Sequence, residues 1–517
     1  AAARTTSLSP ADLVARLDDR LRLLTGGRRN SVERHRTMRA TILWSYDLLT
    51  RPEQVLFQRL SIFAGPFDLD AASIVAGDAV LTADAALASV DSADTVDRFD
   101  VDDLLGGLVE RSMLVVESGP FGRRFRLLET MRQFGAEHLS GSGDTDLVAE
   151  RHARWCLDRV SRIGELLAGP GEIEGVARLG ELWPNLRAAV DWACATGDPA
   201  LARALIRPIA AEIYLRSQSE IGVWAERMLA VTPSDDEDLV TFGLAWAARR
   251  YMRTMDRSGY ERLVERYGEP DHPMIRYARA FLHSDYDEML RWAPLAVAEL
   301  RRQGDDHLAD RFEIAGLGMT LLLTRRFEEH DALLSGSLER HRAQGSPTGV
   351  NWALTYLGTS ASAQGRDDRA WPLFDEAAGI ALPPRTTTFT NPVEARAALR
   401  RGDRSRAFAT LRAYVDDLLE QDNMFMAKIA CAEFVTMMSK VECWPAAARM
   451  LDYLESNGTF GDSPVLRTGV AHAAEAIAAH LEAHPADPAA DAAVPEHDDR
   501  QALTYMRTTL DELLTQT

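Results

Sequence analysis

Residues 350–383, VNWALTYLGTSASAQGRDDRAWPLFDEAAGIALP, decide the fold. Leu354, Leu357, Ala361, Ala370, Phe374 and Ala377 recur at helical spacing on either side of Gly365, and Pro383 closes the unit. Small residues at Gly358 and Ala370 let two antiparallel helices approach closely. Phe374 then has the size to fill the gap toward the next pair. Weaker echoes fall at Gly197/Ala202/Ile206, Gly402/Ala407/Leu411 and Ala447/Leu451. The spacing is 37 residues from Ala370 to Ala407 and 40 from Ala407 to Ala447, which predicts elongated, irregular repeats. From about residue 145 onward the chain reads as helix after helix, rich in Ala, Leu and Arg, with few strand signals.

A chain of 517 residues with 46% hydrophobic residues can bury a large core and is expected to hold more than one domain. The formal charge of −20 and the pI near 5.1 argue against a duplex-binding surface spread over the whole chain. Lysine occurs only at Lys428 and Lys440, and neither stands in a Gly-Lys-Ser/Thr sequence, so no phosphate-cradling P-loop is present in these residues. Cys156, Cys194, Cys431 and Cys443 form no C-x-x-C pair and read as reduced, packed thiols. Nothing near residue 1 resembles a signal peptide, and no apolar run approaches the roughly 18 to 20 residues needed to cross a bilayer. The expectation is a cytoplasmic protein with no membrane partner.

Toward the N-terminus, Ala11 to Leu24 is an amphipathic run opened by Ser9-Pro10 and closed by Gly26-Gly27. Two short helices are expected from Thr37 to Leu49 and from Pro52 to Phe63, a third over Phe67–Val75 and a fourth over Val101–Arg111, with an Ala/Asp-rich loop at 77–99 between the last two. Met113–Glu117 and Arg123–Leu128, around Ser-Gly-Pro-Phe-Gly, predict a hairpin. Helices followed by a hairpin make a winged helix. A helix over Glu129–Leu139 leaves the hairpin, and Gly141-Ser-Gly-Asp reads as a linker. Residues 484–499 are Pro/Ala/Asp-rich and read as a second linker. Arg500–Thr515 is a last helix with Leu503, Met506, Leu510 and Leu514 on one face.

The 350–383 unit is similar to the tetratricopeptide (TPR) repeat. The expected fold class is therefore mainly α: a small helical, winged-helix N-terminal domain followed by a TPR-like α-solenoid. A second resemblance is carried by LSPADLVARLDDRLRLLTGG, RHRTMRATILWSYDLL, RLSIFAGPF, LLGGLVERSMLVVE and RFRLLETMRQFGAEHL, in that order within residues 1–140. RHARWCLDRV, LWPNLRAAVDWA and TGDPALARAL continue it to about residue 230. These resemble the STAND/NB-ARC-type signal-transduction ATPase regulators of actinobacteria, many of them transcriptional regulators, from which the P-loop domain is missing here.

The resemblance implies the following organisation: 1–30 as the end of a helical ARC-like subdomain, 31–144 as the winged helix, 145–483 as a TPR-like sensor, 484–499 as a linker and 500–517 as a C-terminal helix. It implies a chain cut from a longer protein. It implies no cofactor in this chain, with ATP or ADP bound only by the absent nucleotide-binding domain. That domain would be one partner; the other would be a protein, peptide or small-molecule ligand in the solenoid groove.

The family's phosphate-sensing "MHD" motif aligns with Leu127-Leu128-Glu129, which puts Leu128 where a His is expected, and Leu cannot donate to phosphate. Glu129 is left to pair with a nearby arginine. His35, Arg36 and Arg39, together with Arg126 and Glu129, are the candidate contacts to the nucleotide domain, against the plainer reading of His35 and its flanking arginines as a solvated basic linker. Arg123 and Arg124 on the hairpin are the candidate DNA contacts, although the family uses this module mostly as a regulatory lid. Trp44 and Tyr46 read as core, as do Trp183, Trp192, Trp224, Trp246 and Trp352.

No HExxH or G-x-S-x-G occurs, and the acidic run Ser234–Asp238 lacks the Gly and terminal Glu of a calcium loop. The expected function is a non-catalytic sensor portion of a STAND-type regulator. A stand-alone TPR-like scaffold and a winged-helix DNA-binding regulator are the alternatives.

Overall fold

In the computed structural model, the described residues are 39–78, 95–216, 218–384, 386, 391–421, 424–456, 464–484 and 498–515. The helix expected over 11–24, the candidate contacts His35 and Arg36, most of the 77–99 insert and nearly all of the 484–499 linker lie outside them. The chain divides into two compact units, Ala1–Val160 with Gly180–Trp192, and Ser161–Leu179 with Ala193–Thr517.

In the first unit, residues 39–47 form a helix and Arg51–Leu60 a second. The break between them is fixed by a capping box. Thr50 precedes a proline in the first turn, and its backbone N–H and hydroxyl both donate to the Glu53 carboxylate, at 2.7 and 3.0 Å. Helices Leu69–Val75 and Val101–Glu110 follow, then strands β1 (Val115–Gly119) and β2 (Gly122–Arg126). The strands pair antiparallel from Val115↔Arg126 to Gly119↔Gly122, so the ladder sits closer to the turn than the expected 113–117 and 123–128, and the turn is only Pro120-Phe121. Gly122 at φ 103° makes this short reversal possible. Phe67 bonds Phe125 through both backbone groups, at 3.0 and 2.7 Å, and ties the hairpin to the helices.

The core of this unit is aromatic: Phe63 stacks on Phe67 at 4.4 Å, and Tyr46 meets the edge of Phe134 at 5.3 Å. Trp44 departs from expectation, being 66% exposed while Tyr46 is buried. Residues two apart on a helix lie roughly 200° around the axis, so the two rings cannot share a face. The expected linker at Gly141 is also absent. The helix runs Glu129–Ser142 and ends at Gly143 in the left-handed conformation, and the next, Thr145–Leu167, begins two residues later.

The second unit is a succession of antiparallel helices, mainly α as the repeat pattern predicts. Glu220–Val231 packs on Glu237–Thr254, Pro273–Leu282 on Tyr286–Arg302, Phe327–Gln344 on Pro347–Ala363, and that helix on Asp367–Ala378. Asn391–Arg400 pairs with Arg404–Gln421, and Met424–Lys440 with Trp444–Ser456. The reason given for Gly358 holds: a Cβ there would lie 2.6 Å from the Phe374 ring. Phe374, Ala370, Ala407 and Leu411 join one buried cluster that extends to Leu503, Met506 and Leu510 of helix Asp499–Leu514, which covers the last repeats.

The turns share a device. Gly197, Met255, Ser284 and Gly402 have positive φ, and each is followed by an aspartate. Asp198, Asp256, Asp285 and Asp403 then accept the backbone N–H three residues on, at 2.8 to 3.1 Å. A left-handed residue followed by an N-cap stops one helix and starts the next.

Candidate functional site

In the second unit, the starts of helices Glu237–Thr254, Pro273–Leu282 and Asp306–Phe312 gather around a cleft of about 600 Å³. Phe242, Ala245, Trp246, Met274 and Leu308 give it an apolar lining. Carboxylates outnumber guanidinium groups around it. Two of its arginines are neutralised locally, Arg207 by Asp305 at 2.8 Å and Arg302 by Glu299 at 2.5 Å, while Arg203 lies 5.4 Å over the Phe242 ring. Glu165, Glu237, Asp238 and Asp306 are exposed.

The helix starts are already capped in part, since Asp236 accepts from Leu239 N–H at 3.0 Å and His272 Nδ1 from Met274 N–H at 3.3 Å. Burial lowers the pKa of His272, and burial together with the Arg311 charge takes His307 down to about 3, so both imidazoles are neutral at pH 7. The cleft thus combines an aromatic lining, neutral histidines and an acidic rim, which suits binding better than acid–base chemistry.

Behind His307 lies a buried ion cluster. Glu172 receives Arg216 at 2.6 Å and Arg311 at 3.5 Å, and it also accepts from Ser346 Oγ and Thr348 N–H at 3.2 Å. Arg216 is held on its other side by Glu212 at 2.6 Å. Burial by itself would raise the Glu172 pKa; the Arg311 and Arg216 charges outweigh it and hold the group below its ordinary value. Glu212 is raised by burial. This cluster was missed in the sequence because its members come from positions 172, 212, 216, 311 and 346, with no local motif joining them.

In the first unit, the candidate contacts within the described residues are placed as follows. Arg39 pairs with Glu137 at 2.8 Å, Arg126 with Glu117 at 2.6 Å, and Glu129 with Arg132 of its own helix at 2.9 Å. Arg124 donates to Glu181 at 3.1 Å and lies 3.8 Å from Asp68. Arg123 is exposed on β2, and Leu128 is 42% exposed. Arg124 and Arg126 share one face of β2 and Arg123 lies on the other, yet Arg124 and Arg126 pair with different carboxylates, so the described candidate arginines are not gathered into one site.

The best-organised polar group of this unit was not among the candidates. Buried His152 and Gly65 N–H both meet Asn185 Oδ1, at 3.4 and 3.1 Å, and Asn185 Nδ2 donates to Pro66 O at 3.0 Å. Among the described residues, no group of His, Cys, Asp or Glu side chains is arranged to hold a metal, and no helix is long and apolar enough to cross a membrane.

No protein-family model matches the chain. Proteins of Mycobacterium tuberculosis and Mycobacterium bovis, each named "Putative HTH-type transcriptional regulator", are 39% identical over 200 residues, which is 38% of this chain and 20% of theirs. An uncharacterized protein of Mycobacterium tuberculosis is 38% identical over 154 residues, 30% of this chain and 36% of its own. The chain therefore spans about a fifth of the length of the first of these relatives. Among solved structures, the STAND protein with a tetratricopeptide repeat sensor from Pyrococcus horikoshii aligns over 91% of this chain and 64% of its own, with a TM-score of 0.46 and 14% identity.

Proposed function

We propose that this chain is the non-catalytic regulatory portion of a STAND-type transcriptional regulator. Its helical repeats hold a ligand or protein partner, and the N-terminal helices and hairpin act as a winged-helix coupling module toward a nucleotide-binding domain. The observation that carries this reading is the 200-residue likeness, at 39% identity, to mycobacterial proteins named as HTH-type regulators. The cleft around Trp246 supplies a place for a ligand. Arg124 and Arg126 are engaged by carboxylates of their own unit, which favours a packing role for the hairpin over duplex binding. On this reading the protein works in the cytoplasm.

Coupling needs a ligand that prefers one arrangement of the regulator. Moving the population from 1:99 to 99:1 takes a preference of about 10⁴-fold. The direct test is calorimetric titration of the chain with ATP and ADP, beside a thermal-shift screen of small molecules and peptides. The expected result is no nucleotide binding in the micromolar range and at least one stabilising compound that competes at the cleft. Nucleotide binding at micromolar strength or tighter by this chain overturns the reading.

A further inference from the structure

Arg249, in helix Glu237–Thr254, is 4% exposed and has no oxygen partner among the described residues. Its Nη1 donates to the Met252 sulfur at 3.1 Å, its Nη2 to the Met274 sulfur at 3.8 Å, and its Nε to nothing. The guanidinium carbon lies 4.6 Å from the Tyr214 ring, 5.2 Å from Phe312 and 5.8 Å from Tyr277. The same unit buries two other guanidiniums, Arg216 and Arg311, and gives both a carboxylate.

A buried cation is ordinarily paired, because desolvation is costly. Thioethers are weak acceptors, and ring faces return only part of that cost. Among the described residues the Tyr214 hydroxyl, also buried, has no hydrogen-bond partner either. The cage therefore has a formal charge and donors, and among the described residues no anion receives them.

The cage adjoins the cleft. Met274, which accepts from Arg249, lines the cleft, and so does Trp246, whose ring is 6.1 Å from Tyr214. Met274 is the flexible part of this partition, since an unbranched thioether side chain rearranges readily. Phe312 leads directly into a π-helical turn, Glu313–Gly318, and Tyr277 donates to Gly316 O within it at 3.3 Å. The rim carries an excess of carboxylates, which disfavours polyanions such as nucleoside triphosphates.

We infer that Arg249 is the anchor of a ligand site for a small amphipathic monocarboxylate, which enters through the cleft, takes a bidentate bond from the guanidinium in place of the two sulfurs, and lays its apolar body against Phe242, Trp246 and Leu308 of the cleft. This inference rests on the sensor reading and names the ligand class for that site.

The test uses the full chain with indole-3-acetate, octanoate, tryptamine and ATP as probes, read by calorimetry and thermal shift, and repeats them on Arg249→Met and Arg249→Lys. A carboxylate should raise Tm and bind at least about tenfold more tightly than tryptamine. Arg249→Met should lose that binding while melting no lower than the parent, because it removes an unpaired buried charge. Arg249→Lys should bind the carboxylate more weakly. A lower Tm for Arg249→Met without ligand, equal binding of tryptamine and indole-3-acetate, or no binding of either carboxylate at millimolar concentration overturns the assignment. If a different compound stabilises the chain while both carboxylates fail, only this assignment falls. Tight ATP binding beside a working carboxylate site sinks the sensor reading alone.

Discussion

Glu172 and Arg216 meet at 2.6 Å with side chains 0% and 2% exposed, and Arg311 approaches the same carboxylate from the other side. The first of these residues opens helix Glu172–Ala195, Arg216 directly follows the short helix Glu212–Leu215, and Arg311 lies on helix Asp306–Phe312. Substituting Glu172→Gln keeps the shape and removes the charge, leaving Arg311 without its carboxylate. The expected loss is about 3–5 kcal/mol, read from urea denaturation of the variant against the parent. A loss within 1 kcal/mol would show that the cluster relaxes around the change.

The same cluster has an acid limb. Glu172 titrates below its ordinary value in the folded protein, so its contribution is complete above the unfolded pKa near 4.5 and declines as pH falls through the lower folded one. Glu172→Gln should therefore flatten the stability profile below about pH 4.5.

His152 gives a separate window. Burial takes its pKa from 6.5 to about 4, so the unfolded chain binds the proton first. Stability from the neutral imidazole is complete above pH 6.5 and is lost between 6.5 and about 4, a change on the order of 3 kcal/mol. His152→Leu should make that limb shallower by one imidazole's share, with buried His307 still contributing to it, and leave the Glu172 limb unchanged; denaturation midpoints across pH 3–8 read the difference.

Gly358→Ala places a methyl group 2.6 Å from the Phe374 ring. The pair of helices must part or the ring must turn, at about 1–3 kcal/mol. Combining it with Phe374→Leu should cost less than the sum of the single changes, and strict additivity would mean that the two sites are not in contact.

Cys156 and Cys431 are buried, and burial pushes both thiols well up. In native protein, Ellman's reagent should react promptly with the partly exposed Cys194 and Cys443 and reach the other two only after unfolding. Prompt reaction of all four would contradict the packing around the buried pair.

Much of the solenoid was legible because its rule is local. Gly358, Ala370 and Phe374 lie within one repeat, and their sizes alone state how closely two helices approach. The Gly-Asp dipeptides at 197–198, 304–305 and 402–403 were an equally local signal, and they mark turns that the larger pattern only hinted at. Trp44 misled because aromatic content was read without its angular position.

The Gly141 break misled because a glycine can sit inside a helix when the stop comes two residues later. The hairpin was placed correctly but its strands were set one to two residues too far from the turn, since Gly119 and Gly122 were assigned to the turn they flank. The cleft, the Glu172 cluster and Arg249 were invisible for a different reason. Each is assembled from residues on several helices, and no spacing in the chain records that assembly.

The junction at Gly143-Asp144 has one more consequence. Asp144 is held by Arg59 through two bonds, at 2.7 and 3.1 Å, and the same guanidinium reaches Asp78 and Ala76 O. Only Gly143 and Asp144 separate helix Glu129–Ser142 from Thr145–Leu167. Arg151 adds a second tie from the same helix to Asp78 at 3.3 Å, so the first turns of helix Thr145–Leu167 are pinned by ion pairs on two of its neighbouring segments at once.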